Sequence, residues 1–267
     1  MPRLDHRERS RAARRGDRAG TARAGRFGCL AAVALAGTPA AAADGWTFAV
    51  SPYAWLPGIT TSTETRRGPV RTEMSTGDVI SDLDFAFMGA AEARNGRWGL
   101  IVDFIYSDLT SDASTPFGAL WSEAQVETRL SATTVYAGYR VLQDEKGSLD
   151  VLAGGRFYSL DLALSLKPGR LPGRSASYDD DWADPVFGLR GRYDFDGKWF
   201  TTVVADAGGF SGGSDSTWQA FGSVGYQFND RWSAQGGWRY LDISREIDGK
   251  DVSIELSGPL VGLTYRF

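Results

Sequence analysis

The stretch FAFMGAAEARNGRWGLIVDFIY (residues 85–106) carries two alternating runs on either side of Asn95-Gly96. Successive side chains of a strand point to opposite faces, and Asn-Gly is a strong hairpin signal. Folding the runs back on each other predicts the facing pairs Ala93/Trp98, Ala91/Leu100, Gly89/Val102, Phe87/Phe104 and Phe85/Tyr106, all apolar or small. The other face reads Glu92/Gly99, Met88/Asp103 and Asp84/Ser107. One face is therefore free of charge while the other carries carboxylates.

Two further hairpins obey the same rule. A three-residue loop at Asp196 to Lys198 pairs Phe195/Trp199, Tyr193/Thr201, Gly191/Val203, Leu189/Ala205 and Phe187/Ala207 on one face. Arg192/Thr202, Arg190/Val204 and Gly188/Asp206 fall on the other. Around Asn229 to Arg231 the pairs are Phe228/Trp232, Tyr226/Ala234 and Gly222/Trp238, against Gln227/Ser233 and Gly225/Gln235. The polar face holds Arg, Asp, Glu and Gln, which a dry sandwich core would not accept unpaired. A soluble, lipocalin-like barrel is the alternative, but an apolar exterior in lipid around a polar interior satisfies both faces and leaves no sheet edge.

Alternation continues along the chain. Ten runs are read as strands, about 46–59, 80–93, 98–110, 124–142, 149–165, 184–195, 199–210, 217–228, 232–246 and 251–267, with helical spacing hard to find among them. Short connections (Asn95-Gly96, 142–148, 196–198, 229–231) alternate with mostly longer ones (60–79, 111–123, 166–183, 211–216, 247–250). This is the layout of an outer-membrane barrel with periplasmic turns, external loops and both termini in the periplasm. The expected fold is all-β, a closed antiparallel up-and-down transmembrane barrel of about ten strands, with 8 or 12 as the neighbouring possibilities because Val70 to Ser75 reads either as a strand extension or as loop. Trp98, Trp199 and Trp232 begin strands that leave short turns, with Phe195 and Phe228 opposite two of them; together with Trp46, Tyr265 and Phe267 they are expected to form an interfacial aromatic girdle.

Residues 1–43 read differently. Nine arginines against three acids fill the first 26 positions, followed by the small apolar stretch FGCLAAVALAGTPAAAA (27–43), the order of a cleaved secretory signal peptide. A basic nucleic-acid-binding arm is the competing reading, and the alanine-rich segment behind it fits export better. Cleavage after Ala43 takes nine of 29 Lys and Arg and three of 33 Asp and Glu, leaving 20 against 30. Cys29 and His6, the sole cysteine and histidine, go with the leader. Residues 44–267 thus offer no disulfide, no thiol or imidazole metal ligand and no histidine base, and no cofactor is expected.

By the same parity Glu92, Asp103, Arg140, Asp150, Arg156, Arg190, Arg192, Asp206 and Arg239 point inward, with Arg140 facing Asp150 across a hairpin. Such a ladder either braces a filled lumen or lines a narrow solute path. Asp179, Asp180 and Asp181, with Asp184, read as an acidic external loop and a possible cation site; with Asp206 they are the candidates for a carboxylate-dependent hydrolase. Gly154-Gly155, Gly208-Gly209 and Gly212-Gly213 precede no helix, so they read as curvature positions rather than phosphate cradles.

WTFAVSPYAWLPG (46–58), WADPVFGLR (182–190), DAGGFSGGSDSTWQ (206–219), GYQF (225–228), GWRYLDI (237–243) and GPLVGLTYRF (258–267) together resemble a family of proteobacterial outer-membrane β-barrel proteins. The resemblance spans nearly all of residues 44–267, and the patterns WxDPxxGxR and DxGGFxxGSDxTWQ are its most specific parts. It implies location and fold and assigns no catalytic or binding residue. Omptin-type proteases share only a strand count, and the missing histidine argues against that kinship. The expected role is non-enzymatic, an envelope-structural barrel or one passing small solutes poorly; a narrow porin-like conduit and a carboxylate hydrolase are the alternatives. Expected partners are outer-membrane lipid and lipopolysaccharide, and the barrel-assembly machinery through the aromatic-ended last strand, with loops 60–79 and 166–183 as recognition surfaces; no nucleic acid is expected.

Overall fold

The computed structural model describes residues 45–64, 68–113, 121–210, 213–247 and 250–267. The leader read at 1–43 lies outside them, as does Gly212. The strands are β1 (Trp46–Trp55), β2 (Gly58–Thr63), β3 (Val70–Met74), β4 (Leu83–Asn95), β5 (Trp98–Ala113), β6 (Trp121–Gln143), β7 (Gly147–Pro168), β8 (Arg174–Asp194), β9 (Trp199–Gly209), β10 (Ser216–Gln227), β11 (Trp232–Ile247) and β12 (Lys250–Arg266), with one helix, α1 (Thr76–Asp82). Strands β1 and β4 to β12 pair in sequence order, and β1 closes on β12 through Ala49↔Arg266, Val50↔Tyr265 and Tyr53↔Gly262. The fold is a closed ten-stranded antiparallel transmembrane barrel with two extra strands.

Short turns form where the backbone has the chemistry for them. Gly96 and Gly197 take positive φ values of 54° and 79°, a region that side-chain-bearing residues avoid. Asn229 accepts from the backbone N–H groups of Arg231 and Trp232, and Asp144 from those of Lys146 and Gly147, so each folds the chain back with its own side chain. The registers predicted at 196–198 and 229–231 are observed, for example Leu189↔Ala205 and Tyr226↔Ala234. At Asn95 the register differs by two residues. Asn95 pairs Trp98, so Ala93 faces Leu100 and Phe87 faces Tyr106, because the loop is only Gly96-Arg97. A shift of two preserves which face each side chain takes.

The loop end departs further from the sequence reading. Segment 60–79 is not open loop: β2 continues the first wall past a break at Leu56-Pro57, β3 pairs back on it, and α1 follows. Ser75 caps α1 by accepting from Asp78 N–H, while the Asp78 carboxylate accepts from Ser75 N–H. Segment 166–183 is mostly strand, since β7 runs to Pro168 and β8 starts at Arg174 in continuous register. The external loop read at 166–183 is thus largely β-sheet rising beyond the apolar band, and the described ends of 111–123, residues 111–113 and 121–123, belong to β5 and β6.

That band is outward and exposed, including Phe85, Phe87, Leu100, Phe187, Leu189, Val203, Val224, Trp238 and Val261. Trp98 is 63% exposed. The aromatic ring at the short-turn end is present and mutually packed. Trp98 meets Tyr139 at 4.9 Å, Trp199 meets Tyr226 at 5.0 Å, and Trp232, Tyr265 and Phe267 follow one another at 4.8 and 5.0 Å. Trp46, Phe195 and Phe228 are outward in the same tier, Trp46 stacked on Phe48 and the two phenylalanines edge-on to Tyr193 and Tyr226.

Candidate functional site: the charged lumen

Inward positions build tiers along the barrel axis. Nearest the short turns, three guanidiniums share two carboxylates. Arg190 binds Glu92 through both terminal nitrogens, at 2.8 and 2.9 Å, and reaches Asp150 at 2.7 Å. Arg140 reaches Asp150 at 2.8 Å from the next strand, as the sequence parity predicted. Arg94, which the sequence reading did not single out, joins Glu92 at 2.9 Å and Asp150 at 2.8 Å. Its Nη1 has no hydrogen-bond partner among the described residues. Asp150 is 1% exposed, so its charge is held almost entirely by these cations.

A second network crosses the barrel above Leu152, Val186, Ile101 and Tyr136, which form an apolar tier between the two. Arg156 Nη2 lies 2.8 Å from Asp206 Oδ1, and Tyr136 donates its hydroxyl proton to Asp206 Oδ2 at 2.6 Å. The Gln219 amide also donates to Asp206, and its carbonyl oxygen accepts from Arg239 at 2.7 Å. Arg239 continues to Asp103 at 2.9 Å, and Tyr53 donates to the second oxygen of Asp103 at 2.9 Å. The line Arg156, Asp206, Gln219, Arg239, Asp103 links β7 to β5 through β9, β10 and β11. Tyr53, Tyr136 and Gln219 were not singled out from sequence, although strand parity alone places them inside.

Towards the loop end the lumen is packed with apolar side chains: Trp55, Ile105, Ala132, Tyr158, Leu241, Ile243, Leu256 and Leu260 are buried together. Arg239 lies under Trp55, its guanidinium carbon 5.1 Å from the ring centre. Below this plug a cavity of about 500 Å³ reaches from the short-turn mouth, lined there by Arg140, Arg192, Arg266 and Ser148, up to Tyr53, Asp103, Arg239 and Leu260.

All nine inward charges predicted from sequence therefore face the lumen, Arg192 pairing with Asp194 at 2.8 Å near the mouth. The acidic run does not converge. Asp179, Asp180 and Asp181 lie on β8, where neighbours alternate faces, rather than in a loop. Asp180 pairs with Arg245 at 2.8 Å while Asp179 and Asp181 point away into the open. Asp206 sits opposite Gly188, eight positions along β8 from Asp180, a separation of about 25 Å at strand rise. Among the described residues no group of three or more His, Cys, Asp or Glu is placed to hold a metal ion.

The stretches quoted above as most specific contribute heavily to these tiers. In WADPVFGLR, Trp182 stacks on Tyr158 at 4.8 Å and donates to Ser214, Asp184 accepts from Ser214 N–H, and Arg190 binds Glu92 and Asp150. In DAGGFSGGSDSTWQ, Asp206 and Gln219 belong to the central line, and Thr217 accepts from Arg156. Gly209 and Phe210 both have positive φ, 104° and 72°, turning the chain out of β9.

No family model and no curated protein matches the chain. Among solved structures it is similar to the outer membrane protease OmpT from Escherichia coli, with 12% identity and a TM-score of 0.55 over 83% of this chain and 97% of that one. The translocator domain of the autotransporter NalP from Neisseria meningitidis is 16% identical over 84% of this chain and 88% of that one, with a TM-score of 0.46. What the likeness to OmpT shows is the fold, a closed membrane β-barrel.

Proposed function

We propose that this chain is an integral outer-membrane protein of a Gram-negative envelope whose barrel is closed to solute passage and whose role is structural rather than catalytic. Short turns face the periplasm, the β2–β3 hairpin and the raised ends of β6 to β8 face outwards among lipopolysaccharide, and residues 1–43 are the export leader. The resemblance of WADPVFGLR and DAGGFSGGSDSTWQ to proteobacterial outer-membrane barrels supports this reading.

One observation carries the reading: the half of the lumen towards the loops is occupied by the apolar cluster around Trp55, Leu241 and Leu256. An ion crossing it would have to leave water among apolar side chains, which is unfavourable by several kcal/mol or more. Directly below the cluster, Arg156 and Asp206, and Arg239 and Asp103, are already joined to one another. The test is single-channel conductance of residues 44–267 in planar bilayers. Silence from inserted protein is the expected result; reproducible salt-dependent steps would transfer the reading to a narrow conduit.

A further inference from the structure

The charges at the short-turn mouth do not balance. Among the described residues, five guanidiniums gather there, Arg94, Arg140, Arg190, Arg192 and Arg266, against three carboxylates, Glu92, Asp150 and Asp194. Asp144 is also in the cavity wall, but its carboxylate is taken up by the turn N–H groups of Lys146 and Gly147, beside the Lys146 cation. Arg266 donates to Gln227 Oε1 at 2.9 Å, a neutral acceptor. Arg94 leaves Nη1 without a partner among the described residues. An uncompensated cation in a partly desolvated site is unfavourable, and an anion relieves it.

The surplus is concentrated on one sector. The Arg192 guanidinium lies 3.7 Å from the centre of the Phe200 ring, and that ring covers Gly225, two residues before the Gln227 that holds Arg266. Phe200 is 3% exposed, so its ring is a fixed floor for Arg192. Both guanidiniums line the same cavity of about 500 Å³. This is the size of a small-molecule site, with apolar walls from Ile101, Leu152 and Val204 beneath a few convergent polar groups.

We propose that this vestibule binds a small organic or inorganic anion bearing phosphate or carboxylate groups, with Arg192 and Arg266 as its principal ligands. Guanidinium forks match the oxygen spacing of both groups. Asp194 competes with the anion for Arg192, so the site is held ready rather than empty of partners.

The test is isothermal titration calorimetry of the refolded barrel in zwitterionic detergent at low ionic strength, with sodium phosphate, pyrophosphate and succinate as separate probes and chloride as the reference. One-site saturable binding of at least one probe is expected, weakened about tenfold by Arg192→Gln or Arg266→Gln. Asp194→Asn should tighten it, and Arg129→Gln, at the opposite end of the barrel, should leave it unchanged. Response to phosphate or pyrophosphate alone assigns a phosphate ligand, and to succinate alone a carboxylate. Heat with no saturation for all three, or binding undiminished in both arginine variants, overturns the proposal. Folding of each variant is verified by its gel mobility without heating; should Arg266→Gln fail to fold, Arg192→Gln decides. Conductance plays no part in the readout, so a conducting barrel would overturn the closed-lumen reading while leaving this one standing.

Discussion

Arg156 and Asp206, fifty positions apart in the chain, meet at 2.8 Å in the middle of the barrel, both almost wholly buried. Neither could be removed alone without stranding the other. Arg156→Met is expected to destabilise the barrel by about 3–5 kcal/mol, because the Asp206 carboxylate keeps only neutral donors. The double variant Arg156→Met/Asp206→Leu should lose less than the sum of the two single changes, giving a coupling of a few kcal/mol. Urea titration in detergent, followed by tryptophan fluorescence, measures the cycle.

Gly225 is required by its neighbour rather than by its own backbone. A Cβ there would run into the Phe200 ring, and that ring supports Arg192. Gly225→Ala should therefore cost about 1–3 kcal/mol by overpacking. Gly222→Ala, where a Cβ meets nothing within 4 Å, should fall within about 0.5 kcal/mol of the parent. The same urea titration compares them.

The raised ends of β6 and β7 are clipped by Glu123 and Lys167, 2.8 Å apart. The hydrogen bond from the Lys167 ammonium holds the Glu123 carboxyl below the usual carboxylate range, and the same bond raises Lys167. A lowered carboxylate gives stabilisation that is full above its unfolded value and fades as pH falls through the folded one. A raised ammonium gives stabilisation that is full below its unfolded value and fades as pH rises through the folded one. The clip should hold from about pH 5 to about pH 10. Amide protection around Gln125 and Ser165, corrected for intrinsic exchange, is expected to drop between pH 7 and pH 3.5, and Glu123→Gln at pH 7 should show the drop already.

Much of this architecture was legible because a strand's period of two is strict. Once Phe195 and Trp199 were set on one face, Arg190, Arg192 and Asp206 had to lie on the other, and they do. Even the misjudged turn at Asn95 left every face unchanged, since its register moved by two. Helix α1 was overlooked although Ser75 and Asp78 spell a capping box, because seven residues are too few to show helical periodicity. The acidic run at 179–181 was misplaced because charge density was read as loop, whereas β8 extends beyond the apolar band and carries the charges into water. Which inward charges meet was beyond parity. Arg190 and Glu92 lie 98 positions apart, and only the curvature of the closed sheet brings their strands to opposite sides of one narrow space.

That closure also dictates an order of events. Every wall from β4 to β12 pairs with its neighbour in sequence, so most of the sheet can zip up through local hairpins. The β1–β12 seam is different: Trp55 donates to the carbonyl of Gly258, 203 positions away. Bringing ends so far apart together costs about 5 kcal/mol of chain entropy. The seam is also poor in hydrogen-bond donors, with Pro52 within β1, Pro57 just past it and Pro259 within β12. The arginine–carboxylate ties that cross the lumen can engage only as the cylinder closes. The Arg239–Asp103 tie, joining β11 to β5 on either side of that seam, acts as a latch on this donor-poor joint.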